Sequence, residues 1–425
     1  MSSRSVRALL ALVALATALV GLAPPAGAGG DPHLTGLAGV DIGDVHACAR
    51  TTDGRVWCWG RNNTGQLGDG DAPNDSDVPV RVLGPNGTTP LTAVTGLSVN
   101  QSHSCVVLSN HQARCWGDNS AGQLGDGTED PREHAVVVRN PTDTGPLTGV
   151  AQISAGGNHT CAVLTNGQVR CWGSGTFGQL GNGADDEFHL PRRVLALAGT
   201  GPLTGAATVS SAGANTCVVL RNHEARCWGQ NSDHELGSAF GGDFAYRPKR
   251  VLNATGTAPL ANVRAIAAGG QFACASLLNG QARCWGKDSV GSLGNGPGGD
   301  QPFPRAVLDV DGVGPLTGAT RIAAGQYHAC AVVTGRELRC WGDNFNGDLG
   351  NNQANVSSQL PVVVLNTVGQ PRLRTVTQIG LGGSHSCARL ANGEARCWGG
   401  NSFRELGNHF NVPYEEHPVP VLAPL

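Results

Sequence analysis

The sequence is short of charge. Asp, Glu, Lys and Arg make up 14% of its 425 residues, and the formal net charge is −3. No basic run is present to follow a phosphate backbone and no block of like charge to act as a tail, so nucleic acid is not an expected partner. Long apolar runs are also scarce, and none after the N-terminal stretch could hold the chain in a membrane. Familiar catalytic signatures are missing, with no G-x-S-x-G and no H-E-x-x-H. The Asx-rich segment Asp126-Gly127-Thr128-Glu129-Asp130 lacks the D-x-D-x-D-G spacing of a calcium loop and reads as a turn. No cofactor and no metal site is expected.

What is abundant is turn chemistry. Gly 63 and Pro 24 together are about a fifth of the residues, which favours many short strands over long helices. The N-terminus sets Arg4 and Arg7 before an apolar run from Ala8 to Val20, then Pro24-Pro25 and Ala26-Gly27-Ala28. That order describes a secretory signal peptide over residues 1–28 with cleavage near Ala28, and hence a secreted chain beginning at Gly29. Losing Arg4 and Arg7 takes the formal charge from −3 to −5.

An internal period settles the architecture. The 14 cysteines fall in seven pairs: Cys48 and Cys58, Cys105 and Cys115, Cys161 and Cys171, Cys217 and Cys227, Cys274 and Cys284, Cys330 and Cys340, Cys387 and Cys397. Nine residues separate the two members of every pair. The first cysteines advance by 56 or 57 residues, and every second cysteine is followed by Trp-Gly. Residues 34–425 number 392, which is seven units of 56. The units run about 34–90, 91–146, 147–202, 203–259, 260–315, 316–372 and 373–425.

The third unit shows what one repeat builds. His159–Leu164 and Gln168–Gly173 flank Thr165-Asn166-Gly167, a hairpin signal. A three-residue loop with a left-handed Gly167 pairs Leu164 with Gln168, and counting back sets Cys161 opposite Cys171. Non-hydrogen-bonded pairs hold Cα atoms ~4.5 Å apart, within reach of a disulfide. The same count places Gly54, Gly280 and Gly393 at the left-handed position, and His111, His223 and Arg336 less comfortably. Seven disulfides follow, suited to an oxidising compartment. Cys161, Val163, Val169 and Cys171 share one face; Ala162, Leu164 and Trp172 share the other. Both faces are apolar, so each sheet needs cover on both sides. Stacking the units around an axis supplies it, giving an all-β, seven-bladed β-propeller. A linear solenoid would need distinctive caps, and neither end has one.

The pattern Ala-Gly-x-x-His-x-Cys-Ala, turn, Arg-Cys-Trp-Gly-x-Asn, Gly-Gln-Leu-Gly resembles the regulator-of-chromosome-condensation (RCC) repeat, over everything after the leader. The resemblance implies the same seven-bladed propeller. The founding eukaryotic member is a nuclear exchange factor for a small GTPase. The leader and the even spacing, with no room for an inserted wedge, argue against that role here. The cysteine pair departs from the usual repeat and suggests a secreted bacterial type, whose members look like protein binders, enzyme inhibition among their roles.

The recurrent residues read as scaffold. His46, His103, His159, His328 and His385 stand two before the first cysteine, with Asn215 and Phe272 in the other two units. A metal ring is less consistent with that Phe than buried imidazoles donating to backbone carbonyls. Arg114, Arg170, Arg226, Arg283, Arg339 and Arg396 precede the second cysteine, with Trp57 in unit one, and are expected to stack or pair between blades. The Trp of each Cys-Trp-Gly is expected in the core.

The segments after Gly-Gln-Leu-Gly vary, and they hold Phe188, Phe240, Phe244, Tyr246, Phe303, Phe410 and Tyr414. Loop aromatics on a rigid scaffold suit a protein interface, so these are the candidate partner-binding residues. The competing reading tucks them under neighbouring loops. A monomeric, non-enzymatic protein-interaction module is the leading functional expectation, an inhibitor of an extracellular enzyme being its finer form. A carbohydrate- or cell-wall-binding lectin and a polysaccharide-acting enzyme are the alternatives.

Overall fold

The computed structural model describes residues 33–366, 371–410 and 412–424. The expected leader, with its cleavage near Ala28, lies outside the described residues. Among them, twenty-eight strands run from β1 (Leu37–Ile42) to β28 (Tyr414–Pro420), with no helix. They form seven four-stranded sheets, each built from four consecutive strands in up-and-down order. The fold is the seven-bladed propeller.

The hairpin at the heart of each blade has the register expected from its turn. In blade three Val163 pairs with Val169 and Cys161 with Cys171. Gly167, at φ 78°, donates to the Leu164 carbonyl at 2.8 Å, and Leu164 donates to the Gln168 carbonyl at 2.8 Å. His111, His223 and Arg336 do adopt the left-handed conformation, at φ 60°, 64° and 59°. Each tolerates a backbone that costs a side-chain-bearing residue ~1–2 kcal/mol.

All seven cysteine pairs are disulfides, one across each hairpin. Cys48 is bonded to Cys58, Cys105 to Cys115, Cys161 to Cys171 and Cys217 to Cys227. Cys274 is bonded to Cys284, Cys330 to Cys340 and Cys387 to Cys397. Their Cα atoms lie 4.0–4.1 Å apart, closer than the ~4.5 Å of an unbridged pair, because the sulfur bond draws the two strands together. No cysteine is left free.

Stacking follows from the two apolar faces. Cys161, Val163, Val169 and Cys171 pack with Val218 and Trp228 of the next blade. Ala162 and Trp172, on the opposite face, pack with Cys105, Val107 and Cys115 of the preceding one. The seven repeated tryptophans are fully buried. Each indole Nε1–H donates to a backbone carbonyl of the preceding blade, as in Trp116 to Gln66 at 2.9 Å and Trp228 to Gln179 at 2.8 Å. One residue thus fills the interblade core and satisfies a buried carbonyl.

The ring closes without an exchanged strand. In six places the crossing from one blade to the next is pinned by a short bridge, as Leu83 with Pro90 and Leu195 with Pro202. The seventh bridge joins the two ends of the propeller: His33 pairs with Leu422, and Leu34 N–H donates to the Val421 carbonyl at 2.9 Å. The sequence alone does not decide this closure.

Candidate functional site

The two rims of the propeller differ. One carries the hairpin turns and the crossings between blades; the other carries the short turns after the inner strands and the long loops before the outer strands. The long loops are anchored at their base. In every blade but the third, which has Gly175 there, an Asn or Asp side chain after Cys-Trp-Gly accepts the N–H of the Leu five residues on, as Asn62 does from Leu67 at 3.0 Å and Asn401 from Leu406 at 3.1 Å. The next side chain along, Gln66, Gln123 or Gln179 in blades one to three, accepts a loop N–H two residues back. Rigid loop bases of this kind can present variable residues with little loss of entropy.

The seven candidate aromatics do not all project from these loops. Phe188, Phe244, Tyr246, Phe303 and Tyr414 lie on outer strands. Read along the chain, everything between Gly-Gln-Leu-Gly and the next unit is loop, whereas in the fold the fourth strand begins inside that segment. Phe188 carries the Arg192 guanidinium 4.5 Å from its ring centroid, and Phe244 meets Phe177 at 5.2 Å. Phe240 packs on the core of blade four under Lys249. Of the seven, Phe410 is the open one, 61% exposed.

Sequence reasoning missed Tyr327 and Phe345, 42% and 66% exposed. Phe345 replaces a residue that is Asn63, Ser120, Thr176, Ser232, Ser289 and Ser402 in the other units, a departure visible in the aligned repeats. By their place in the topology Phe177, Tyr327, Phe345 and Phe410 all belong to the long-loop rim, and Val356 and Val412 are exposed beside the last two. The exposed large residues of the opposite rim, Leu197, Leu278, Val310 and Val313, are aliphatic.

The repeated histidines act across blades, but not through backbone carbonyls. Nε2 of His46, His103, His159 and His328 meets the hydroxyl of Ser104, Thr160, Thr216 and Ser386 in the next blade at 2.8–2.9 Å. Thr160, Thr216 and Ser386 themselves donate to the carbonyls of Gln123, Gln179 and Asp348. Each therefore accepts its second bond from an imidazole N–H. A hydroxyl offers both roles at one point, which a carbonyl does not. Burial holds the imidazoles neutral, with pKa values pushed down to about 3 for His46, His159 and His385 and about 4 for His103 and His328.

The arginine position also pairs within its own hairpin rather than between blades. Arg226, Arg339 and Arg396 meet Glu224, Glu337 and Glu394 two residues upstream, and Arg114 and Arg283 meet Gln112 and Gln281. In blade one Trp57 instead carries Arg81 at 4.9 Å. Asp126 of the Asx-rich turn accepts from Thr128 and pairs with Arg132 at 2.8 Å. Beside it Glu129, Glu187 and His189 gather at the surface, with His189 Nε2 3.1 Å from Glu129, a contact joining blades two and three.

The Regulator of chromosome condensation (RCC1) repeat matches residues 53–107, 115–163, 166–220, 279–332 and 338–389, which is most of the chain. The chain belongs to the RCC1 repeat family. A second, shorter RCC1 repeat pattern matches 38–66, 94–123, 150–179, 263–292, 319–348 and 376–405. It passes over blade four, where Asn215 stands for the histidine and His234 for a loop glycine. This chain is 26% identical, over 81% of its length, to human "E3 ubiquitin-protein ligase HERC2", of which the match spans 7%. It is 27% identical to the "Ultraviolet-B receptor UVR8" of Arabidopsis thaliana, over 79% of this chain and 72% of that one. Among solved structures, human WBSCR16 superposes with a TM-score of 0.70 at 21% identity, covering 87% of this chain and 94% of that one. Prp20p of Saccharomyces cerevisiae, described with its binding to Gsp1p and histones, gives 0.64 at 21% identity, covering 81% and 80%. At these identities the structural likeness speaks to the fold alone.

Proposed function

We propose that this RCC1 propeller is an exported protein-interaction module that binds its partner through the long-loop rim of blades six and seven. The observation that carries the reading is the placement of Tyr327, Phe345 and Phe410 as exposed aromatics on that rim, with Val356 and Val412 beside them. Aromatic side chains on a preorganised base supply large contact area with few rotors to freeze, which is the pattern of interface anchors. Export is supported by a disulfide in every blade, a density suited to an oxidising compartment. Inhibition of an extracellular enzyme is the finer form of this proposal, and it rests on the resemblance to secreted members of the family. A repetitive lectin has less support, because the exposed aromatics are concentrated in neighbouring blades instead of recurring in each.

The test is affinity capture from extracellular fractions with the chain from Gly29 as bait, beside a Tyr327→Ser/Phe345→Ser/Phe410→Ser variant and a Leu197→Ser/Val313→Ser variant of the opposite rim. One stoichiometric protein, retained by the second variant and lost by the first, is expected. Capture that survives the triple substitution, or capture of glycan alone, would overturn the reading.

A further inference from the structure

A concave surface on the outer face of blade three is lined by arginines that make no ion pair among the described residues. Its volume is about 750 Å³, within the ~300–1,000 Å³ of small-molecule sites. Arg170, Arg192 and Arg193 line it, with Phe188, Leu195, Pro141 and Pro191 as the apolar part of the wall. The Arg247 guanidinium reaches over from the outer strand of blade four and lies against Gly199, another lining residue. Linear spacing hides the cluster, because its members are spread over residues 170–247 and meet only through the sheet register, Arg170 opposite Arg193 and Cys171 opposite Arg192.

Several equivalent positions elsewhere have side-chain partners. Arg226 of blade four meets Glu224 at 2.6 Å, and Lys249 covers Phe240. In blade five Arg283 is bonded to Gln281 and Arg305 to Gln301. In blade three the upstream neighbour is Gln168, and Arg170 makes no bond to it. Among the described residues none of Arg170, Arg193 and Arg247 has a carboxylate or hydrogen-bonding partner, and Arg192 has only the Phe188 ring. Arg170 is half-buried, and its guanidinium is held below its ordinary pKa by burial and by Arg193. Cations on outer strands can serve to deter edge-to-edge pairing. That role accounts for the exposed Arg192 and Arg193 on the outer strand, but not for the half-buried Arg170 on the strand behind them.

We propose that this groove binds a compact oxoanion, the phosphate or sulfate ester of a small ring-bearing ligand such as a sugar, with Arg170, Arg193 and Arg247 on the ester and Phe188 and Leu195 against the ring. Guanidinium groups match such anions bidentately, and several converging on one point favour two negative charges over one. A long polyanion is disfavoured by the net charge of −3 and by Asp185, Asp186 and Glu187, which fall in the chain between the lining residues Ala184 and Phe188.

Isothermal titration calorimetry at low ionic strength, with glucose 6-phosphate and glucose 6-sulfate as separate probes, tests the proposal. Saturable binding of at least one ester is expected, and the tighter of the two identifies the anion. Arg193→Gln and Arg247→Gln, both exposed, should each weaken it by ~10-fold or more, the loss of a charge-assisted bond. Arg305→Gln, on the outer strand of blade five where Arg305 is hydrogen-bonded to Gln301, should leave it unchanged. No saturable binding of either ester at millimolar concentration, or equal binding by the Arg193→Gln variant, would overturn the assignment.

Discussion

The loop base of blade four gives a pH-dependent stability that one substitution should remove. Glu235 occupies the position of Gln66, Gln123 and Gln179 and makes their bond, Oε2 accepting the Asp233 N–H at 2.9 Å. It is 1% exposed, and its Oε1 has no partner. Burial, with a smaller push from Asp233, raises its pKa from 4.5 to about 7, outweighing the backbone hydrogen bonds at Glu235 and Asp233 and the weaker pull of Lys287. A raised carboxyl pKa means the folded chain binds the proton more tightly than the unfolded one. The contribution is fully present below pH 4.5 and is lost as pH rises through about 7. That interval converts to ~3 kcal/mol at ~1.4 kcal/mol per pH unit. Glu235→Gln keeps the Asp233 bond and carries no charge. Guanidinium unfolding with disulfides intact, followed by the buried tryptophans, should show little difference from the parent near pH 4.5. By pH 8.5 the variant should be more stable by ~2–3 kcal/mol. A difference of constant size across that range, or a variant less stable at pH 8.5, would refute the argument.

Two other predictions concern the interblade contacts. His385 faces Ala47 instead of a hydroxyl, and neither of its ring nitrogens has a partner; His385→Phe, which copies Phe272, should cost less than ~1 kcal/mol at neutral pH, whereas His159→Phe strips Thr216 of its donor and should cost ~1–2 kcal/mol. Because burial lowers the His385 pKa to about 3, its contribution holds above pH 6.5 and falls as pH drops toward 3, so His385→Phe should also flatten the acid limb of the stability profile. Replacing Cys217 and Cys227 together by Ala should leave the far-UV spectrum unchanged, because the hairpin register is held by its own backbone bonds, and lower stability by ~2–3 kcal/mol in chemical denaturation.

The sheet hairpins are legible in the sequence because their determinants are local. Turn length fixes the register, register fixes which side chains share a face, and two apolar faces require stacking. Even the strained turns at His111, His223 and Arg336 can be placed by counting. Contacts that depend on the relative height of neighbouring blades cannot. The imidazole partners come from the residue after the histidine-equivalent position of the next unit, 57 or 58 positions away. No local rule connects them. The outer strands escape the sequence for a related reason: segments such as Phe188–Arg193 and Gln301–Ala306 are rich in proline and charge because they form the edge, and edge strands look like loops in one dimension.

A repeat protein invites the rule that repeated residues are scaffold and departures are function. The histidine position shows where the rule fails. Phe272 departs from the pattern, but it faces Ala329, and both lie in one apolar cluster. Asn215 departs too and faces Ala273, with both side-chain polar atoms unpartnered. Both departures coincide with the loss of the hydroxyl in the neighbouring blade, and at Phe272 an apolar contact replaces the lost bond, so they belong to the scaffold. Phe345 differs because it replaces a small polar residue and stays 66% exposed, contributing nothing to an interblade core. Arg170 differs because it keeps the repeated residue and lacks the repeated partner. Function in this propeller is therefore to be sought where a change in one blade meets no answering change in the next. By that criterion, the rim of blades six and seven and the outer face of blade three stand apart from the rest of the ring.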